Sequence, residues 1–217
     1  MILETRLSPN RSPRVHGDEA VSLVVVHTPE GGYDGTVRFI QTAAAKVSYH
    51  RLYSKDGKRA TQLVPWAEKA WHAGAMNSLS DGLSIEGNAR LFDLADPGVL
   101  EIANGVAERL VARGIPCQWT TDPAKGGFCR HGDLQTDRTD PTPDLGEWRL
   151  FVGMVTVAFE RLTAPANEWP RPIPKWFWTW NLWRVRGKQG ARPASAPRVI
   201  PAWAWRRALA FDRARRK

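Results

Sequence analysis

Cysteine is scarce in this sequence of 217 residues, which contains only Cys117 and Cys129. Two cysteines are too few for a disulfide framework, so we expect both to be reduced thiols. Long apolar runs are also missing, since no stretch reaches the roughly 18 apolar residues of a membrane span. Residues 1–6 have neither the basic start nor the apolar core of a secretory signal peptide. We therefore expect synthesis in the cytoplasm without a signal peptide.

Positive charge is concentrated at one end of the chain. Residues 165–217 hold 13 of the 31 basic residues, 2 of the 22 acidic residues and 7 of the 11 tryptophans, whereas the preceding residues are close to neutral. This segment also contains two units of the pattern Ile-Pro-x-Trp-x-Trp, beginning at Ile173 and Ile200. Such a composition predicts a separate tail that binds a polyanion or an anionic surface. The alternative is a tail whose tryptophans dock on the body of the protein.

The rest of the chain predicts an α/β domain over residues 21–164, after a polar, irregular arm over residues 1–20. Residues 21–27 are a β-branched run typical of a strand buried on both faces. The Lys55-Asp56-Gly57 turn indicates a β-hairpin. We predict further strands over residues 47–54, 58–64, 83–86 and 128–131, and helices over residues 36–45, 99–113 and 144–162. A mixed central β-sheet flanked by helices follows from this alternation.

A histidine and an aspartate near the end of the domain indicate a metal site. His131 ends a short apolar run, and Asp140 follows nine residues later, directly before a proline. Zinc binds imidazole nitrogen and carboxylate oxygen, and a catalytic zinc needs three protein ligands. Taken alone, such a pair is more often a hydrogen-bonded surface pair. His27, at the end of the first buried strand and before a Gly-rich loop, is a candidate for the third ligand.

Five short motifs, in this order along the chain, resemble the zinc-dependent N-acetylmuramoyl-L-alanine amidases of type 2. This family includes many phage endolysins and, more distantly, the peptidoglycan recognition proteins. The motifs are residues 24–28 (VVVHT), 47–50 (VSYH), 70–74 (AWHAG), 84–86 (SIE) and 131–141, which ends in RTDP. The family usually has lysine where Arg138 stands and glycine where Thr142 stands.

The resemblance implies a role for eight residues. It assigns the Zn2+ ligands to His27, His131 and Asp140, the catalytic groups to Glu86, Arg138 and Tyr49, and substrate contacts to His72 and Trp71. Glu86 would move protons between water and the leaving amine, while Arg138 and Tyr49 would stabilise the oxyanion. Two of these assignments have a structural alternative: Glu86 as a salt-bridged strand carboxylate, and Trp71 as a core residue. His50 and Tyr49 are expected on opposite strand faces, so that only one of them lines the site.

The implied activity is hydrolysis of the bond between N-acetylmuramic acid and L-alanine in bacterial peptidoglycan, by a monomeric, endolysin-like enzyme that acts at the cell wall. The tail would then bind an anionic cell-wall polymer or the membrane surface. One alternative is a peptidoglycan-binding module without catalysis, although such a module would not need Asp140 and Glu86. A nucleic-acid binder, suggested by the basic tail, is the second alternative, and nucleic acid is not the expected partner.

Overall fold

The computed structural model describes residues 1–89 and 92–164, which form eight strands and three α-helices. The strands are β1 (Ile2–Thr5), β2 (Arg11–Pro13), β3 (Leu23–His27), β4 (Arg51–Tyr53), β5 (Arg59–Gln62), β6 (Glu68–Ala70), β7 (Ser80–Ile85) and β8 (Gly127–Arg130). The helices are α1 (Tyr33–Ile40), α2 (Pro97–Arg113) and α3 (Leu145–Thr163). The tail, with its two Ile-Pro-x-Trp-x-Trp units, lies outside the described residues.

A six-stranded sheet in the order β1-β5-β4-β7-β3-β8 is the centre of the fold. The four strands from β4 to β8 run parallel to one another, while β5 is antiparallel to β4, and β1 is parallel to β5. Every residue of β3 and β7 is buried, as expected for parallel strands covered on both faces. The predicted mixed α/β architecture is confirmed.

Helices cover the two faces of this sheet. On one face, α1 packs through Val37 and Ile40 against Leu52 of β4. On the other face, α2 comes so close to β4 that a side chain on Gly105 would collide with Tyr53, and α3 packs on α2. Leu23, Val25 and Cys129 form a core cluster on one side of β3 and β8. Because side chains alternate along a strand, His27 lies on that same side.

Two local signals in the sequence predict the structure well. Helix α2 begins at Pro97 and ends before Gly114, whose φ of 64° is in the left-handed region. The hairpin between β4 and β5 is also confirmed, although both strands are shorter than predicted. Helix α1 starts three residues earlier than predicted, and Ala43–Ala45 forms a separate 3-10 turn. Among the described residues, no helix combines the length and the apolar character needed to cross a bilayer.

The prediction of an irregular arm over residues 1–20 is wrong. Strand β1 joins the edge of the main sheet by pairing with β5, and β2 pairs with β6 in a second, two-stranded sheet. Arg14, which follows β2, is buried. The segment has no apolar alternation from which strands could be predicted, and its strands form by pairing with residues more than 50 positions later in the chain. The domain therefore extends over the first 20 residues as well.

Candidate metal centre

Three side chains converge at the carboxyl ends of β3 and β8. His27, His131 and Asp140 each place one ligand atom within 4.8 Å of the other two. Nδ1 of His27 is 3.3 Å from Oδ2 of Asp140, and Nδ1 of His131 is 3.1 Å from Oδ1 of the same carboxylate. The two imidazole rings are 4.6 Å apart between centroids. These are the same three residues that the sequence analysis gives as candidate metal ligands.

The parallel pairing of β3 with β8 brings the two histidines together. Val26 is the register partner of Arg130, so the next residue on each strand, His27 and His131, reaches the same edge of the sheet. His131 begins a 3-10 turn whose Gly132 donates its N–H to the carbonyl of Asp140 over 3.1 Å. A side chain on Gly132 would come within 2.8 Å of the Arg138 carbonyl, so glycine permits this close approach.

Burial and charge set the protonation of His27 and Asp140. His27 is only 1% exposed, and burial lowers its pKa to about 4, although the nearby Asp140 acts in the opposite direction. Burial alone would raise the pKa of Asp140, but its contacts with His131 and His27 outweigh this effect and hold that pKa below the usual range. A neutral imidazole beside an ionised carboxylate is the protonation state that metal binding needs.

The hydrogen bonding of His131 indicates that a cation fits between these side chains. Nε2 of His131 lies 3.0 Å from the acceptor Oε1 of Gln135, so a neutral ring carries its proton on Nε2. Its Nδ1 lone pair then faces a carboxylate oxygen of Asp140, which also has only lone pairs to offer. Ligand atoms of a tetrahedral zinc lie roughly 3.3 Å from each other, and each histidine is at about this distance from one of the two Asp140 oxygens. The donor set of two imidazoles and one carboxylate therefore fits Zn2+.

Tyr49 and Arg138 lie close to this cluster. The ring centroid of Tyr49 is 5.1 Å from that of His27. Burial raises the pKa of Tyr49, so its hydroxyl stays protonated. Arg138 is exposed, and its positive charge acts on both His27 and Tyr49. Nε2 of His50 lies 3.7 Å from Oδ1 of Asp81, so of the two neighbours it is Tyr49 that contacts His27.

Glu86 lies just beyond the end of β7. It follows Ser84, the register partner of His27, by two residues and is therefore on the same side of the sheet. Its carboxylate accepts the backbone N–H of Tyr33 over 3.1 Å and that of Lys55 over 2.9 Å. Glu86 thus connects the start of α1 to the turn of the β4–β5 hairpin. These contacts are those of a loop-fixing carboxylate, a function that the sequence does not predict.

His72 and Trp71, the two expected substrate contacts, are held by protein groups. His72 is 6% exposed, and its Nδ1 lies 3.0 Å from Nε2 of His27, on the side of that ring away from Asp140. This placement argues against a direct contact between His72 and a substrate. The half-buried Trp71 donates its indole N–H to Ser12 over 3.2 Å.

A cavity of about 240 Å³ opens beside Tyr49, between the loop after β3 and α1.

Gln135 is a site residue that sequence reasoning missed. Its Oε1 is 3.0 Å from Nε2 of His131, which stands four residues earlier in the chain. That spacing places two side chains on one face of a turn, so a glutamine four residues after a candidate ligand was the available signal.

Comparisons with known proteins agree with the geometry. Residues 17–143 match the family described as N-acetylmuramoyl-L-alanine amidase. Amidase A of Achromobacter lyticus is 38% identical over 68 residues, which cover 31% of this chain and only 38% of that protein. The 1,6-anhydro-N-acetylmuramyl-L-alanine amidase AmpD of Salmonella typhimurium is 30% identical, covering 65% of this chain and 84% of AmpD.

Solved structures show the same fold. A crystal structure of an AmpD derivative has a TM-score of 0.54 at 25% identity, covering 69% of this chain and 93% of that one. The Staphylococcus aureus hydrolase AmiA has a TM-score of 0.62 at 16% identity, covering 78% of this chain and 88% of that one. The likeness to AmiA concerns the fold alone.

Proposed function

The chain belongs to the N-acetylmuramoyl-L-alanine amidase family, and we propose that it is a zinc-dependent enzyme that cleaves the bond between N-acetylmuramic acid and L-alanine in bacterial peptidoglycan. The observation that carries the proposal is the convergence of His27, His131 and Asp140 within 4.8 Å. A module that only bound peptidoglycan would have no need for such a set of ligands. Both curated relatives are also described as amidases of this bond type.

In this proposal His27, His131 and Asp140 hold the zinc ion. Zinc held by two neutral imidazoles and one carboxylate would supply Lewis acidity, which would lower the pKa of a water molecule to about 7 and polarise the scissile carbonyl. Burial of the three side chains keeps bulk water from competing for the ligands. Arg138 is exposed, so its side chain would be accessible to a substrate.

The other proposed roles follow from where each side chain lies. Arg138 and the Tyr49 hydroxyl would donate hydrogen bonds to the negative oxygen that develops on the attacked carbonyl. One such donor typically contributes about 3 kcal/mol to transition-state stabilisation. Glu86 would accept a proton from the attacking water and return it to the leaving amine of L-alanine. Its two backbone hydrogen bonds, from Tyr33 and Lys55, hold the carboxylate in one orientation.

Mass analysis of digested peptidoglycan tests the proposed bond. We expect stem peptides that begin with a free L-alanine amino group, together with glycan strands that have lost their peptides. The His131→Ala variant should release nothing, and the matched variant of an exposed histidine, His16→Ala, should behave as wild type. New reducing sugar ends would instead indicate a glycosidase. Zinc binding with no released product would favour the peptidoglycan-binding module.

A parallel digestion decides which form of substrate is preferred, because AmpD is described as an amidase of 1,6-anhydro-N-acetylmuramyl-L-alanine. We propose that this chain acts on the intact wall, as an endolysin would. Soluble 1,6-anhydro muropeptides should then be cleaved more slowly than wall polymer.

The basic tail is proposed to attach the enzyme to an anionic wall polymer, with its tryptophans contacting sugar rings. Replacing Trp176, Trp178 and Trp180 by alanine in the full chain should reduce binding to whole walls without changing the cleavage of soluble fragments. Because charge contributes, binding should also weaken as salt concentration rises. Unchanged wall binding in the triple variant would remove the support for this role.

A further inference from the structure

A chain of hydrogen bonds runs from His27 away from the candidate metal centre and into the core. Nε2 of His27 is 3.0 Å from Nδ1 of His72, and Nε2 of His72 is 3.3 Å from Oγ of Ser80. The hydroxyl of Ser80 is in turn 2.7 Å from the backbone carbonyl of Met76. The three side chains in this series of hydrogen bonds, those of His27, His72 and Ser80, are buried.

The last acceptor sets a direction for the protons along these hydrogen bonds. The Met76 carbonyl can only accept, and it is closer to Oγ of Ser80, at 2.7 Å, than Nε2 of His72, at 3.3 Å, so the Ser80 hydroxyl donates its single proton to the carbonyl. Oγ of Ser80 then accepts from Nε2–H of His72, which leaves Nδ1 of His72 as an acceptor. That nitrogen accepts from Nε2–H of His27. Only the Nδ1 lone pair of His27 remains free, and Nδ1 is the nitrogen that faces Asp140.

We propose that His72 is a positioning residue that, anchored by Ser80, holds His27 in the tautomer whose Nδ1 can bind a metal ion. The proposal rests on the zinc centre proposed above. His72 acts through His27, rather than by contacting substrate. Orienting groups of this kind typically change metal affinity by about 10- to 100-fold.

Strand β7 is built to hold His72 in place. Its Ser80, Gly82 and Ser84 face the same side as His27, because they are the register partners of Leu23, Val25 and His27. The ring of His72 lies directly over Gly82, where a Cβ atom would come within 2.6 Å of its Cγ. The backbone N–H of His72 also donates to Oδ1 of Asn77 over 2.8 Å. The small residues of β7 thus make room for the His72 ring. His72 is held by Asn77 at its backbone N–H, by Gly82 at the face of its ring and by Ser80 at Nε2.

Zinc affinity of the metal-free full-length protein tests the proposal. His72→Phe keeps a ring but removes the acceptor, and we expect its zinc affinity to fall about 10- to 100-fold. His72→Asn offers Oδ1 near the position of Nδ1, and we expect it to restore affinity to within about threefold of wild type. Ser80→Ala removes the anchor alone and should give an intermediate loss. His16→Ala, which alters an exposed histidine, is the matched control and should bind as wild type.

Imidazole 15N NMR of the same metal-free samples reads the tautomer itself, which a merely structural role of His72 would not change. We expect the wild-type His27 to carry its proton on Nε2, and His72→Phe to populate the Nδ1–H form. Wild-type His27 with its proton on Nδ1, or equal zinc affinity in wild type and His72→Phe, would overturn the proposal. If His72→Phe does not fold, the proposal is tested by the tautomer of His27 in the wild-type spectrum and by the zinc affinity of Ser80→Ala. Failure of the wild type to bind zinc would instead reject the proposed function.

Discussion

Arg14 and Asp81, 67 positions apart in the sequence, form a 2.6 Å ion pair whose two side chains are 1% and 0% exposed. Asp81 also receives hydrogen bonds from Arg109 and Arg113 of α2, over 3.0 Å and 3.1 Å. Arg14 in turn donates to the backbone carbonyl of Ser80 in β7. One buried carboxylate thus joins the N-terminal segment, the central strand β7 and helix α2 behind the candidate site.

Asp81→Asn is expected to destabilise the protein strongly. The variant leaves three arginines around a neutral amide, and breaking a buried ion pair from one side typically costs about 3–5 kcal/mol. Denaturant unfolding of the metal-free protein measures this loss. Asp34→Asn removes an exposed partner of Arg59 and is the matched control, for which we expect little change. An Asp81→Asn variant as stable as the control would show that the cluster does not fix the N-terminal segment.

Stability should fall as the pH is lowered from about 6.5 to about 4, partly because of His50. Burial lowers the pKa of His50 to about 4 in the folded protein, against 6.5 for the unfolded chain. In this interval the unfolded state binds a proton that the folded state does not, so acid favours unfolding. The contribution of His50 is complete above pH 6.5, and about 3 kcal/mol of it is lost by pH 4.

The His50→Asn variant tests this origin. In the wild type, Nδ1 of His50 accepts a hydrogen bond from the backbone N–H of Gly82 over 2.9 Å. The amide oxygen of asparagine can accept the same hydrogen bond, but the asparagine side chain does not titrate. We expect unfolding free energies of the variant to depend less steeply on pH between 4 and 6.5. The exposed His16→Asn variant should keep the wild-type slope. Equal slopes in His50→Asn and wild type would contradict the assignment.

Glu86→Gln is expected to lower the rate of hydrolysis by about 100-fold or more, since general acid–base catalysis contributes at least that much. Zinc affinity should be unchanged. An amide nitrogen would also face one of the two backbone N–H groups that the carboxylate now accepts, at a cost on the order of 1–3 kcal/mol of stability. Glu108→Gln, on the exposed side of α2, serves as the control. A Glu86→Gln variant that loses stability but keeps its rate would leave Glu86 only the loop-fixing role.

Replacing Arg138 separates charge from geometry. Arg138→Ala should lower kcat by about 100-fold, because one donor to the developing oxyanion is lost. Arg138→Lys retains a positive donor and should recover part of that rate. Zinc affinity should be the same in both variants, and Arg161→Ala in α3 should leave the rate unaffected. An alanine variant with a raised KM but a normal kcat would assign Arg138 to substrate binding instead.

The sequence predicts the elements whose signals are local. The β-branched run before His27 identifies β3, the Lys55-Asp56-Gly57 turn identifies the hairpin, and Pro97 with Gly114 marks both ends of α2. The order of five motifs was enough to select the three candidate ligands. Each element signal, and each motif taken singly, depends on residues within a few positions of one another.

Features that depend on distant contacts could not be predicted in this way. The N-terminal strands have no apolar pattern of their own, and Arg14 is buried only because Asp81 neutralises it from another part of the chain. The placement of His72 follows from Gly82 and Ser80, which become its neighbours only after β7 has joined the sheet. The motif indicates that His72 belongs to the site, but it does not show whether the side chain faces the substrate or the core behind His27.

Zinc content measured together with hydrolysis tests the central claim most directly. The account predicts one zinc ion per chain in the wild type, loss of both zinc and activity on chelation, and recovery of both when zinc is added back. His27→Ala, His131→Ala and Asp140→Ala should each bind zinc weakly and release no stem peptides, whereas His16→Ala should match the wild type. Full hydrolysis by protein whose metal has been verifiably removed would contradict the account.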